Sequence, residues 1–242
     1  MRAEEPEVRA AHPLVILLAR LVVTPIVVVY FRLRVKGGGS VPRRGPLLLV
    51  ANHASHLDPP IVGCSTLRRV SYLARSSLFR PAPFGWLIRT LGAVPIERKS
   101  TGLGGIRATR QLLAAGGAVV VFPEGTRSTD GRPGELREGF IAVAKHTVAE
   151  VQPVWIEGSH AAFPRGARIP RPRSVQVRFG APFRVPEGAS NAEVVLLPCI
   201  PVTQIPAFRR INAARTLDLR AIGTPSCSAA MSSGLSAATA GV

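Results

Sequence analysis

The chain has 242 residues, of which 46% are hydrophobic and 5% aromatic, and its 31 Lys+Arg against 14 Asp+Glu give a formal net charge of +17. That length holds one globular domain with a substantial core, and the apolar content excludes general disorder. The positive balance favours anionic partners, but few aromatic platforms, no zinc-ligand spacing and no recognition module argue against nucleic acid.

The first predicted element is residues 14–31, apolar except for Arg20, Thr24, Pro25 and Tyr30, and followed by Arg32, Arg34 and Lys36. The length just permits a membrane span. However, a central arginine costs about 2.5–3.5 kcal/mol on insertion scales and Pro25 favours a kink, so a shallow or re-entrant membrane helix is expected. A buried first helix of the domain is the alternative. Glu4, Glu5 and Glu7, with no small-residue cleavage site, argue against a signal peptide. If the segment does span, the basic cluster after it puts the catalytic domain in the cytoplasm, and a membrane-associated chain on the cytoplasmic face of the cell membrane is expected.

Further along, apolar runs at 47–51, 70–74, 93–96, 118–122, 151–156 and 175–179 read as strands, with helical patterns at 60–67, 84–91, 105–115 and 138–146. This alternation predicts a single α/β domain with a central, mostly parallel or mixed sheet flanked by helices. Phe79, Phe84, Trp86 and Leu87 form an apolar patch in this stretch, suited to core packing or to lining an acyl groove. Arg165, Arg168, Arg171 and Arg173 form the densest basic run and read as a loop in contact with a membrane surface or with solvent. Cys64, Cys199 and Cys227 are odd in number and scattered, which fits neither a disulfide framework nor a metal site and suits a reducing compartment.

Polar chemistry collects at the strand ends. Asn52-His53-Ala54-Ser55-His56-Leu57-Asp58 follows the run 47–51, and Pro59 and Pro60 favour a helix starting at Asp58. A neutral imidazole takes a proton from an alcohol near neutral pH, and a carboxylate on its other nitrogen fixes the tautomer and stabilises the cation. His53 is thus the candidate base and Asp58 its orienter. The run 118–122 leads into Pro123-Glu124-Gly125-Thr126-Arg127-Ser128, with a permissive glycine, two hydroxyls and a guanidinium fork suited to phosphate. Between them Gly92 to Ile96 ends in Glu97, Arg98 and Lys99, so Arg98 is a second candidate phosphate clamp.

Taken in order, these blocks resemble the phospholipid/glycerol acyltransferase family, best known for its 1-acylglycerol-3-phosphate acyltransferases. Asn52, His53 and Asp58 match the first block, Gly92, Ile96 and Arg98 the second, Phe122 through Ser128 the third without change, and Pro153-Val154 the fourth. The resemblance covers roughly residues 14–187. It implies acyl transfer from an acyl-CoA or acyl-carrier-protein thioester to the free hydroxyl of 1-acylglycerol 3-phosphate, giving phosphatidic acid. His53 and Asp58 would be catalytic. Arg98, Glu124, Gly125, Thr126 and Arg127 would hold the acceptor phosphate, and Arg75 would stand where the family often carries a lysine. No cofactor and no metal are expected, and the expected partners are membrane phospholipid, lysophosphatidic acid and the acyl donor. The organisation expected is a membrane-associated segment over 1–36, a catalytic domain over 37–187 and an atypical tail over 188–242 that ends in the Ser/Ala/Gly-rich stretch 226–242 and is expected to be disordered.

Two other readings stay open: within the fold, a transferase for another acceptor, such as glycerol 3-phosphate or an aminoacyl lipid, and, from a different class, a membrane-bound lipid-binding or scaffold protein without turnover. A hydrolase is disfavoured, because Gly63-Cys64-Ser65-Thr66-Leu67 lacks the last glycine of a nucleophile elbow. Gly102-Leu103-Gly104-Gly105-Ile106-Arg107 likewise has an arginine where a dinucleotide fingerprint needs its third glycine.

Overall fold

The run Leu47-Leu48-Leu49-Val50-Ala51 has no polar alternation, so as a strand it needs an apolar environment on both faces. Parallel sheets covered by helices on both sides provide this. The computed structural model, which describes residues 13–96, 103–134 and 138–185, has this strand at its centre. Strands β1 (Arg34–Lys36), β2 (Leu47–Ala51), β3 (Ser71–Arg75), β4 (Ala93–Ile96), β5 (Ala118–Val121), β6 (Glu150–Glu157) and β7 (Gln176–Phe179) form one seven-stranded sheet in the order β1-β7-β6-β2-β5-β3-β4. Strands β2 to β6 run parallel, β7 is antiparallel to β6, and β1 is parallel to β7.

Every residue of β2 is buried. Leu47, Leu49 and Ala51 pack with Ile61 and Val62 of α2 (Asp58–Cys64), Ile88 of α3 (Ala82–Thr90) and Val27 of α1 (Pro13–Tyr30). Leu48 and Val50 turn the other way and pack with Leu113 of α4 (Leu103–Ala114) and with Val143 and Ala144 of α5 (Glu138–Lys145). Leu47, Leu48 and Leu49 have no exposed surface, and burial of each contributes about 1.5–3 kcal/mol. The three-layer domain so formed is the α/β architecture expected from the alternating pattern.

One feature differs from expectation. Strand β1 lies before residue 37 and pairs with β7 through Val35 and Val177, so the sheet begins inside the segment assigned to the membrane. A three-residue strand, exposed at every position, carries too little periodicity to be seen in sequence. For α1 the expectation is a shallow or re-entrant helix rather than a span, and no helix among the described residues is long and apolar enough to cross a membrane. The 18 residues of α1 reach roughly 27 Å at about 1.5 Å per residue, less than the ~30 Å hydrocarbon core.

Arg20 explains how α1 sits. Its guanidinium donates to the carbonyls of Gly63 at 3.0 Å and Leu67 at 3.2 Å, and to that of Thr66. These carbonyls lie at and just beyond the C-terminal end of α2, where peptide oxygens have no intrahelical partner and a cation is favoured. The charge that would penalise insertion instead ties α1 to the domain, and Val27 and Phe31 enter the core. The outward side of α1 leaves Leu14, Leu17, Leu18, Leu21, Val22, Ile26 and Val29 exposed. The expectation of a disordered tail falls on residues outside those described.

Candidate active site

The parallel strands β2, β3 and β5 bring their carboxyl ends to one edge of the sheet, where loops of α/β folds form sites. The loop after β2 carries His53, and Asp58 opens α2 with prolines in its first turn. His53 Nδ1 lies 2.8 Å from Asp58 Oδ2, and that oxygen also accepts the backbone N–H groups of Ala54 and Ser55, each at 2.7 Å. The Asp58 side chain is fully buried. A carboxylate that already accepts two amides is best matched by a donor, which puts the proton on Nδ1 and leaves Nε2 as a lone-pair base. The hydrogen-bond network, not an observed hydrogen, makes this tautomer assignment.

The third block does more than adjoin this pair. His53 N–H donates to Glu124 Oε1 at 3.0 Å, and Ser128 N–H donates to the His53 carbonyl at 2.8 Å. The turn 124–128 therefore grips His53 by both backbone groups, while the Phe122 ring stacks on the imidazole with centroids 4.1 Å apart. Burial pushes the Glu124 carboxyl up, opposed by the amides of Gly134 and His53 that it accepts. Glu124 thus accepts backbone amides from both sides of the site.

Sequence reasoning also missed two other supports. Asn52 acts as a surrogate peptide group toward β6, its Nδ2 donating to the Ile156 carbonyl at 2.9 Å and its Oδ1 accepting Ile156 N–H at 2.7 Å. Ser55 Oγ, fully buried, donates to the Phe163 carbonyl at 2.8 Å, so it is a brace rather than a nucleophile. Burial likewise raises the Cys64 thiol, which suits a packing residue rather than a nucleophile. The fourth block lies on β6, with Val154 in register with Ala51 at the end of β2.

Of the candidate phosphate residues, Gly125 sits in a turn at φ +66° with its N–H on the Phe122 carbonyl, and Thr126 is exposed. Arg127 is partly buried, and its Nη1 is enclosed without a hydrogen-bond partner. Burial, then the charges of Arg165 and Arg75, pull the Arg127 guanidinium below its usual range. Arg75, at the end of β3, is exposed. His56 is lowered by burial first and by Arg127 next. The site is thus a His-Asp pair facing a concentration of positive charge. Arg98 lies outside the described residues.

Comparison with known proteins places the chain in a family. Residues 32–157 match the family model described as Acyltransferase. A chloroplastic 1-acyl-sn-glycerol-3-phosphate acyltransferase of Arabidopsis thaliana is 29% identical over 57% of this chain and 39% of its own. A lyso-ornithine lipid O-acyltransferase of Rhizobium meliloti is 35% identical over 49% of this chain and 40% of its own. The chain thus spans well under half the length of these curated relatives. The crystal structure of a 1-acyl-sn-glycerophosphate acyltransferase from Thermotoga maritima has the same fold, with a TM-score of 0.65 at 24% identity over 86% of this chain and 85% of that one. On the family match over more than half its length, this chain belongs to the acyltransferase family.

Proposed function

We propose that the chain transfers a fatty acyl group from a thioester donor to the free hydroxyl of 1-acylglycerol 3-phosphate. The observation that carries the reading is the His53 Nδ1 to Asp58 Oδ2 contact of 2.8 Å, held beside a partly buried guanidinium with an unpartnered nitrogen. His53 Nε2 removes the acceptor hydroxyl proton as the oxygen attacks the thioester carbonyl. The tetrahedral adduct then collapses and expels the thiolate, which takes the proton from the imidazolium to leave as the thiol, and Asp58 stabilises that cation throughout. Arg127, Arg75 and Arg98 bind the acceptor phosphate and so fix the hydroxyl against the base, a positioning effect. Glu124, Gly125 and Thr126 shape the turn that presents Arg127. The donor is acyl-CoA or an acyl carrier protein, both anionic and suited to the +17 chain.

The exposed apolar side of α1, followed by exposed Arg32, Arg34 and Lys36, supports attachment to one leaflet on the cytoplasmic face rather than a span, placing the site where acceptor and product reside. The R. meliloti relative, named for a lyso-ornithine lipid, favours a second reading in which the acceptor lacks a phosphate. The test is transfer of a labelled acyl group from acyl-CoA and from acyl carrier protein to lysophosphatidic acid by membranes containing the full chain, with His53→Ala beside it. Product from wild type alone is expected. Equal product from both would remove His53 as base, and transfer only to lyso-ornithine lipid would install the second reading.

A further inference from the structure

The sequence puts Arg165 in a basic surface run, and the fold keeps it exposed while carrying it to the catalytic edge. It follows the short helix α6 (Ser159–Ala162) and sits in a turn closed by Ala167 N–H on the Pro164 carbonyl at 3.1 Å. Contacts on both sides tie this segment to the site. Ser55, two residues after His53, donates to the Phe163 carbonyl at 2.8 Å, and the Phe163 ring lies 6.0 Å from that of His56. On the other side, His160 Nε2 lies 3.3 Å from the Thr129 carbonyl, next to the third block. The segment therefore bridges the loop of the base and the loop of Arg127.

The charges there are unbalanced. Arg127 has a buried Nη1 without a partner, and leaving such a donor unmade costs at least about 1–3 kcal/mol. Arg165 and Arg75 lie near enough for their charges to disfavour its protonated form. Asp58, the acid that offsets them, already serves three donors through one oxygen. Arg165 itself has no ion pair among the described residues. A phosphomonoester, with roughly −1.5 to −2 charge near neutral pH and three acceptor oxygens, supplies what this cluster lacks.

We propose that Arg165 is a further cation of the acceptor-phosphate site, and that it sets this chain's preference for acceptors bearing a phosphomonoester over acceptors without one. Its position beyond the matched family segment, 32–157, suits a residue that tunes acceptor choice while the shared blocks carry the chemistry. The inference rests on the acceptor-phosphate reading above.

The experiment compares wild type with Arg165→Gln, Arg165→Lys and, as a neighbour on the same loop, Arg168→Gln. Acyl transfer is measured against varied lysophosphatidic acid and varied monoacylglycerol of the same chain length. Binding of glycerol 3-phosphate to each full chain in detergent is followed separately by 31P line broadening. The expected result is an about tenfold rise in KM for lysophosphatidic acid in Arg165→Gln, matching one charge-assisted contact, with kcat held within about twofold. The preference for lysophosphatidic acid over monoacylglycerol falls by the same factor, Arg165→Lys recovers part of it, and Arg168→Gln resembles wild type. An unchanged KM and Kd, an equal effect from Arg168→Gln, or a rise confined to the acyl-donor KM would overturn the proposal. A wild-type chain that binds glycerol 3-phosphate in an Arg165-dependent way yet acylates no phosphorylated acceptor would sink the proposed function and leave the phosphate site standing.

Discussion

Replacing Asp58 by asparagine separates the two jobs of this carboxylate, because its oxygens have opposite environments. Oδ2 accepts His53 Nδ1, Ala54 N–H and Ser55 N–H at 2.7–2.8 Å, whereas Oδ1 is buried with no hydrogen-bond partner. An asparagine that keeps its oxygen at the Oδ2 position must put its NH2 where no acceptor waits, at a cost of about 1–3 kcal/mol. The three bonds also fall from charge-assisted to neutral strength, about 1 kcal/mol each. The opposite flip points a donor at three donors and is worse. Relief from burying a charge offsets part of this, leaving a net loss of about 3–5 kcal/mol. At about 2–4 °C per kcal/mol for a domain of this size, Tm falls by roughly 6–20 °C. Turnover should fall further than stability, because the imidazolium loses its counter-charge; the same exchange in a hydrolase triad costs about 10⁴ in kcat. Thermal unfolding of the full chain in detergent, with acyl transfer assayed well below the lowered Tm, measures both. A variant within about 2 °C of the wild-type Tm and within tenfold of its kcat would refute the reasoning for both jobs.

Two shorter predictions concern the supports of the base. Asn52→Asp keeps the bond from Ile156 N–H but sets a carboxylate oxygen against the Ile156 carbonyl, so unfolding in urea should show a loss of about 2–4 kcal/mol. Asn52→Asp with unchanged stability would mean that the Ile156 clamp is idle. The His56 imidazole, though exposed at the surface, is pulled down by partial desolvation and then by Arg127; a base held below its unfolded value is protonated more readily in the unfolded chain. Its contribution is therefore fully present above about pH 6.5 and lost as pH falls from there through the lowered folded value. Denaturant titrations between pH 7.5 and 5 should show a shallower decline in His56→Gln than in wild type, and parallel curves would remove His56 from that slope.

The local chemistry was legible in the sequence because it is written in short, contiguous blocks. His53 and Asp58 stand five residues apart across one helix start, and a turn of that length leaves the two side chains little choice but to meet. The strand 47–51 announced a doubly covered sheet by its unbroken apolar run, and the alternation of periods gave the layers. What the sequence could not show were contacts made at long separation. Glu124 carries the chemistry of an acid but acts as a clamp on the His53 amide, 71 residues away. Asn52 reaches Ile156 across 104 residues. Arg20, a penalty for a membrane helix, became the anchor that holds α1 against the end of α2. In each case the residue type fixed which bonds a side chain can make, while the order of strands in the sheet fixed which partner stood within reach. Sequence alone therefore determined the α/β class and the pairing of His53 with Asp58. Tertiary structure decided which polar residues brace that pair and which cations gather before it, because parallel strands bring distant loops to one edge and hydrogen bonds act only over about 3 Å.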